Sequence, residues 1–99
     1  MLTIKEYGDN LTEEIDGAVK YAELYICCKI NGDTTNATKY KEMANDEMKH
    51  ASFFDTQGNS LVTVIKKNIS DPEMFLEDWE WAKSQYAKNL AYVKRLLEK

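Results

Sequence analysis

Apolar residues recur at intervals of three and four along most of the chain, and this spacing predicts three α-helices and no strand. Helix A is predicted over about 11–31, because Asn10 followed by Glu13 is a typical helix start and Gly32 a typical end. Its apolar positions are Ile15, Ala18, Val19, Ala22, Ile26 and Ile30.

The first nine residues predict a separate, short helical segment. Thr3 and Glu6 have the spacing of a capping box, and Gly8 is expected to end the segment. On this prediction helix A is only about 20 residues, or roughly 30 Å, long. It would then leave the far end of the next helix to be covered by other parts of the chain or by a second copy.

Helix B is predicted over about 35–69, antiparallel to helix A, because the connection at 32–35 is short and rich in turn and N-cap residues. Gly58 inside this helix costs about 1 kcal/mol relative to alanine, but we favour a continuous helix with a weak point there. The stripe expected to face inward comprises Tyr40, Met43, Glu47, His50, Phe54, Gly58, Leu61, Ile65 and Ile69.

Helix C is predicted over about 72–98, with Asp71 as its N-cap and Pro72 as its first residue. Its apolar seam comprises Phe75, Trp79, Ala82, Tyr86, Leu90, Val93 and Leu97. The sequence does not decide whether this seam packs on its own chain or on another copy. The predicted fold is therefore all-α: an antiparallel helical hairpin plus a C-terminal helix in one domain over 1–99.

Composition and charge argue against nucleic-acid binding and a membrane location. With 99 residues and a net charge of -4, the chain has no basic face for nucleic acid. No apolar run approaches the roughly 20 residues of a membrane span and no signal pattern begins the chain, so a cytoplasmic location is expected. Cys27 and Cys28 are adjacent, and we expect free thiols, buried as small helix residues.

One carboxylate and the single histidine lie on the apolar stripe of helix B. Glu47 and His50 have Glu-x-x-His spacing, which places both side chains on one face. Burying such groups costs several kcal/mol unless they are paired or bind a metal. An inward-facing Glu-x-x-His is also the motif that two helices each contribute to dinuclear carboxylate sites in helical bundles.

Glu14 of helix A is expected to meet this pair. Glu14 lies 18 residues before Gly32, while Glu47 and His50 lie 15 and 18 residues after it. In an antiparallel hairpin rising about 1.5 Å per residue, these positions lie level to within roughly one turn. Glu13 is at a similar height but about 100° around the helix. The predicted metal ligands are therefore Glu14, Glu47 and His50.

The chain supplies half of a complete dinuclear ligand set. The complete set takes one Glu from each of two helices and a Glu-x-x-His from each of two others. A two-fold pair of hairpins would provide it, so a homodimer or higher homo-oligomer is expected. Carboxylates mixed with imidazoles suit iron, with manganese as the alternative, better than structural zinc.

The residues around these ligands resemble a known superfamily. Glu14 before Ala18 and Tyr21, then Tyr40 and the run 43–51, resemble the helix A and helix B motifs of ferritin-like proteins. The similarity is greatest to rubrerythrin-type half-bundles, and in size to encapsulated ferritins, which build their site between two chains. This resemblance implies a di-iron centre shared by two chains, with Fe(II) oxidation or peroxide detoxification as its reaction. In such a centre, Tyr21 and Tyr40 are expected to donate hydrogen bonds to the metal ligands.

A metal-free alternative stays open. Glu47 and His50 would then form a polar pair in a bundle or at its wetter edge, with Glu14 exposed near its helix start. The protein would act by oligomerising or by binding a partner helix, as a small module from a mobile element could. This alternative predicts that assembly tolerates apolar residues in place of Glu47 and His50.

Overall fold

The computed structural model describes residues 1–99 and contains three helices and no strand. They are α1 (Ile4–Ile30), α2 (Thr34–Asn68) and α3 (Glu73–Leu97). Helix α2 runs antiparallel to α1, and α3 returns alongside α1, giving a rod of 56 × 21 × 16 Å over its Cα atoms. The all-α prediction is confirmed. None of the helices combines the length and the apolar character that crossing a membrane requires.

Helix α1 begins seven residues earlier than predicted. Thr3 and Glu6 form the expected capping box, but it starts α1 itself, which continues through Gly8 without a break. Gly8 is buried, and a Cβ at this position would lie 3.5 Å from the Cβ of Ala82 on α3. Packing against α3 therefore outweighs the weak helix propensity of glycine. The expectation that helix A is too short to reach the far end of helix B was wrong, since Ile4 and Tyr7 of α1 share the core with Ile65, which is only 7% exposed.

The hairpin turn is closed by caps on both sides. Asn31 ends α1, and Gly32 adopts a φ of 72°, a left-handed conformation that glycine tolerates at no steric cost. The Asp33 side chain accepts hydrogen bonds from the backbone N–H and the side-chain amide of Asn36. Helix α2 therefore starts at Thr34, one residue before the predicted position, and runs unbroken to Asn68.

Small residues at intervals of seven form the buried seam of α2. They are Ala37, Ala44, Ala51 and Gly58, followed by Ile65. The facing positions on α1 are Leu11, Ile15, Ala18, Ala22 and Tyr25. The predicted inward stripe is confirmed at Gly58 and Ile65 but was wrong at Met43, because α1 packs closely against the small seam and leaves Tyr40 only half-buried beside it. Met43 lies on the flank and is 39% exposed.

Helix α3 packs on its own chain, mainly along α1. It meets α2 only near one end, where Trp79 lies over Gly58 and Lys83 forms an ion pair with Asp55. The predicted seam was wrong at its first position: Leu76 is buried, whereas Phe75 is 55% exposed.

The start of α3 also differs from the prediction. Pro72 is the N-cap, not the first helical residue, and no side chain caps this end. Asp71 therefore does not have its predicted capping role.

The side of the hairpin away from α3 stays uncovered. Glu23 of α1 accepts a hydrogen bond from Tyr92 of α3, and Glu14, nine residues earlier, lies about 180° around the same helix. We call this side the open face. It is lined by Glu14, Gly17, Tyr21, Tyr40, Met43, Glu47, His50 and Phe54.

Candidate metal centre

Three side chains converge on the open face. Glu14 of α1 and Glu47 and His50 of α2 each offer a ligand atom, and these atoms all lie within 4.8 Å of one another. His50 Nδ1 is 3.3 Å from Glu14 Oε2 and 3.6 Å from Glu47 Oε1. The structure thus brings together the three residues that the helix register predicted. Their role as metal ligands stays a prediction.

The trio lies at the edge of the hairpin rather than in its core. The side chains of Glu14 and Glu47 are 24% and 25% exposed, and that of His50 is 57% exposed. The expectation that the histidine faces an apolar interior was wrong for the single chain. His50 directly precedes the buried Ala51, so it points about 100° away from the seam.

The two carboxyl groups lie against each other. The pKa of Glu47 is raised, chiefly by a hydrogen bond with the Glu14 carboxyl, and also by burial and by the negative charge of Glu14. The positive charge that His50 can carry acts in the opposite direction but does not cancel these effects. Two adjacent carboxylates at neutral pH favour a bound cation, because a cation removes their mutual repulsion.

Replacing Glu47 by glutamine is expected to change the pH dependence of stability in the metal-free protein. Since the folded-state pKa of Glu47 is raised, its contribution is fully present below the ordinary carboxyl pKa and is lost as the pH rises through the folded value. Glu47→Gln should therefore lose less stability than wild type between acidic and neutral pH. Urea unfolding at several pH values measures this difference.

Two other acidic groups change the stability in the opposite direction as the pH rises. The pKa values of Glu6 and Asp33 are lowered by capping hydrogen bonds, so their contributions are lost as the pH falls through those lowered values. Both groups are unchanged in Glu47→Gln, so the difference between the two proteins isolates residue 47. Identical pH dependence of unfolding stability in wild type and Glu47→Gln would contradict the raised pKa of Glu47. Glu13→Gln is the control, because it removes a carboxyl that lies off the site.

The two tyrosines predicted to donate hydrogen bonds to the metal ligands stack on each other. The rings of Tyr21 and Tyr40 are 6.2 Å apart between centroids, with 19° between their planes. Each lies seven residues, or about 10 Å of helix rise, from its nearest predicted ligand toward the hairpin turn. Their role as donors to the metal ligands stays a prediction.

Two phenylalanines border the site and were not selected from the sequence as site residues. Phe53 and Phe54 follow His50 by three and four residues and pack edge to face, with centroids 5.4 Å apart. Together with Lys49 they line a shallow groove that Glu14 and His50 also line. Their spacing of three and four residues from His50 could have indicated that they lie beside the site. Phe53, which is 57% exposed, was harder to predict than Phe54, because only Phe54 belongs to the predicted stripe.

The donor set fits the predicted metals. Two carboxylates and one imidazole nitrogen are ligands that Fe(II) and Mn(II) accept, and three protein ligands leave coordination positions open. Thiolates do not contribute, because the free thiols of Cys27 and Cys28 lie near the hairpin turn, about 20 Å of helix rise from Glu14. Cys27 is exposed, so the expectation that both thiols are buried was wrong, whereas Cys28 is half-buried.

The chain was compared with protein-family models, with curated proteins and with solved structures. None of the three comparisons found a match. The case for a function therefore rests on the residues and geometry of this molecule.

Proposed function

We propose that Glu14, Glu47 and His50 bind one iron or manganese ion per chain, and that two chains pair through the open face to form a dinuclear, ferritin-like centre. The observation that carries this proposal is the convergence of three ligand atoms from two helices within 4.8 Å. The proposed reaction is oxidation of Fe(II) by oxygen or peroxide, with the chain acting as a ferroxidase-type oxidoreductase.

The incompleteness of the site supports a second copy. One hairpin offers two carboxylates and one imidazole, whereas a dinuclear bundle site takes four carboxylates and two imidazoles. A two-fold axis through the open face would supply the missing half. It would also cover Met43 on the open face and Phe53 in the groove at its border, which are 39% and 57% exposed on the single chain.

The chemistry divides between the ions and the side chains. Iron held at this site would supply the electrons: two Fe(II) would be oxidised to Fe(III), and one O₂ would take up two electrons and two protons to become hydrogen peroxide. In each chain, Glu14, Glu47 and His50 would together hold one ion, and the contact of the Glu47 carboxyl with Glu14 keeps both carboxyl groups within reach of it. Packing of the second chain over the site would exclude bulk water.

The test compares neighbouring glutamates of α1. Glu14→Gln is expected to weaken Fe(II) or Mn(II) binding by at least about 100-fold, beyond the 10- to 100-fold loss typical of removing a group that only orients a ligand. Glu13→Gln, one residue away but directed off the site, should bind as wild type does. Calorimetry measures binding, and absorbance of Fe(III) measures oxidation. Equal behaviour of the two variants would contradict the proposal.

A second candidate function is metal-free self-association or binding of a partner helix through the open face. It is favoured by Met43 on the open face and Phe53 at its border, both exposed, because burying them would stabilise an assembly whether or not a metal is present. The Glu47→Leu/His50→Leu variant separates the two candidates. Assembly that persists in this variant, with no metal bound by wild type, would support the second candidate and exclude the first.

A further inference from the structure

Gly17 lies directly beneath the Glu47 carboxyl group. A Cβ at position 17 would be 2.8 Å from Glu47 Oε2, 3.4 Å from Cδ and 3.5 Å from Cγ. The distance to Oε2 is shorter than real Cβ contacts allow, so the end of the Glu47 side chain occupies space that exists only because residue 17 has no side chain. Gly17 follows Glu14 by three residues, which places it one turn along the same side of α1.

The backbone of α1 does not itself require glycine at this position. Gly17 is inside a regular helix, and the only glycine with a positive φ is Gly32. Glycine has a lower helix propensity than every residue except proline. A glycine that weakens the helix without serving a turn needs another reason, and contact with Glu47 supplies one.

The other two helical glycines serve packing instead. A Cβ at Gly8 would meet Ala82 at 3.5 Å, an ordinary contact, and a Cβ at Gly58 would meet the ring of Trp79. Both contacts are with α3, on the side of the hairpin opposite the candidate metal centre. Gly17 is the one glycine whose nearest neighbour is a predicted ligand.

We infer that Gly17 is a positioning residue that lets the Glu47 carboxyl lie against α1, next to both Glu14 and His50. This inference rests on the proposed function for its consequence in metal binding. A methyl group at position 17 would push the flexible end of Glu47 away from Glu14 while leaving the helix intact. The variant is therefore expected to lose site geometry and not stability.

The test uses Gly17→Ala with Gly8→Ala as the matched control in the same helix, and Mn(II) as the probe. Gly17→Ala should bind Mn(II) about 10- to 100-fold more weakly than wild type, as expected when a group that orients a ligand is changed. Its metal-free Tm should be no lower than that of wild type. Gly8→Ala should keep wild-type affinity. Wild-type affinity in Gly17→Ala would overturn the inference.

A metal-free measurement keeps this inference separate from the proposed function. Gly17→Ala should raise the Tm more in a Glu47→Ala background than in wild type, because the contact with the carboxyl is then absent. Equal shifts in both backgrounds would overturn the inference whether or not the protein binds metal. Absence of Mn(II) binding by wild type would overturn the proposed function, and the Tm comparison would still decide whether residue 17 makes room for Glu47.

Discussion

Replacing Gly58 by alanine is expected to destabilise the folded chain by about 2 kcal/mol. The added Cβ would lie 2.1 Å from Cη2 and 2.5 Å from Cζ3 of Trp79, whose rigid indole is only 4% exposed and has no free space to enter. Overpacking costs about 1–3 kcal/mol, and a contact this short with a rigid ring belongs at the upper end, so about 2 kcal/mol remains after the roughly 1 kcal/mol that alanine gains over glycine in a helix. For a domain of this size the Tm should fall by about 8–16 °C.

The same indole provides a matched control for Gly58→Ala. Gly8 lies on the other helix against Trp79, but a Cβ there would be 3.7 Å from Cε3, an ordinary contact. Gly8→Ala should therefore be neutral or stabilising in thermal and urea unfolding. Adding Trp79→Phe to Gly58→Ala should restore part of the lost stability, because the shorter ring withdraws from the clash. Equal stability of the two alanine variants would contradict the close contact of α2 with α3.

Saturating the protein with Mn(II) is expected to raise its stability by about 2.7 kcal/mol when the free ion is at 100 times its Kd. This corresponds to a rise in Tm of about 10–20 °C for a domain of this size. The gain arises because the folded chain holds Glu14, Glu47 and His50 within reach of one ion, whereas the unfolded chain does not. Thermal unfolding with added Mn(II), and again after chelation, measures the shift.

Two variants show whether the stabilisation comes from the proposed site. Glu47→Ala should abolish the Mn(II)-dependent shift, while Glu42→Ala, an exposed acid of the same helix, should keep it. A shift of the same size in Glu47→Ala would mean that the ion binds elsewhere. A stabilisation that is additionally dependent on protein concentration would support pairing of two chains at the site.

Much of the fold follows from local sequence signals. The Thr3–Glu6 capping box and the left-handed Gly32 are formed as the residues predict. Glu14 lies at the same height along the hairpin as Glu47 and His50 because of the position of the turn and the constant rise of a helix. Their convergence was therefore predictable.

Other features depend on which surfaces meet, and helical periodicity does not specify that. On α2, a stripe of small residues and a stripe of bulky ones have the same period, and close approach of α1 selects the small one. The continuation of α1 through Gly8 and the burial of Leu76 in place of Phe75 depend on where α3 packs. The contact of Gly17 with Glu47 was beyond prediction for the same reason.

The candidate metal centre is open to solvent in a single chain. In one chain His50 is 57% exposed, so the site gains a protected environment only if the open face is covered. Metal binding and pairing of two chains are therefore expected to support each other. A single copy should bind an ion more weakly than the pair does.

Native mass spectrometry of the intact protein with Mn(II) tests the central claim most directly, because it counts chains and ions in the same particle. We predict a dimer carrying two ions for wild type and for Glu13→Gln, and no bound ion for Glu47→Ala. Particles without metal, or the same ion count in Glu47→Ala as in wild type, would contradict the assignment of Glu14, Glu47 and His50 as a metal site.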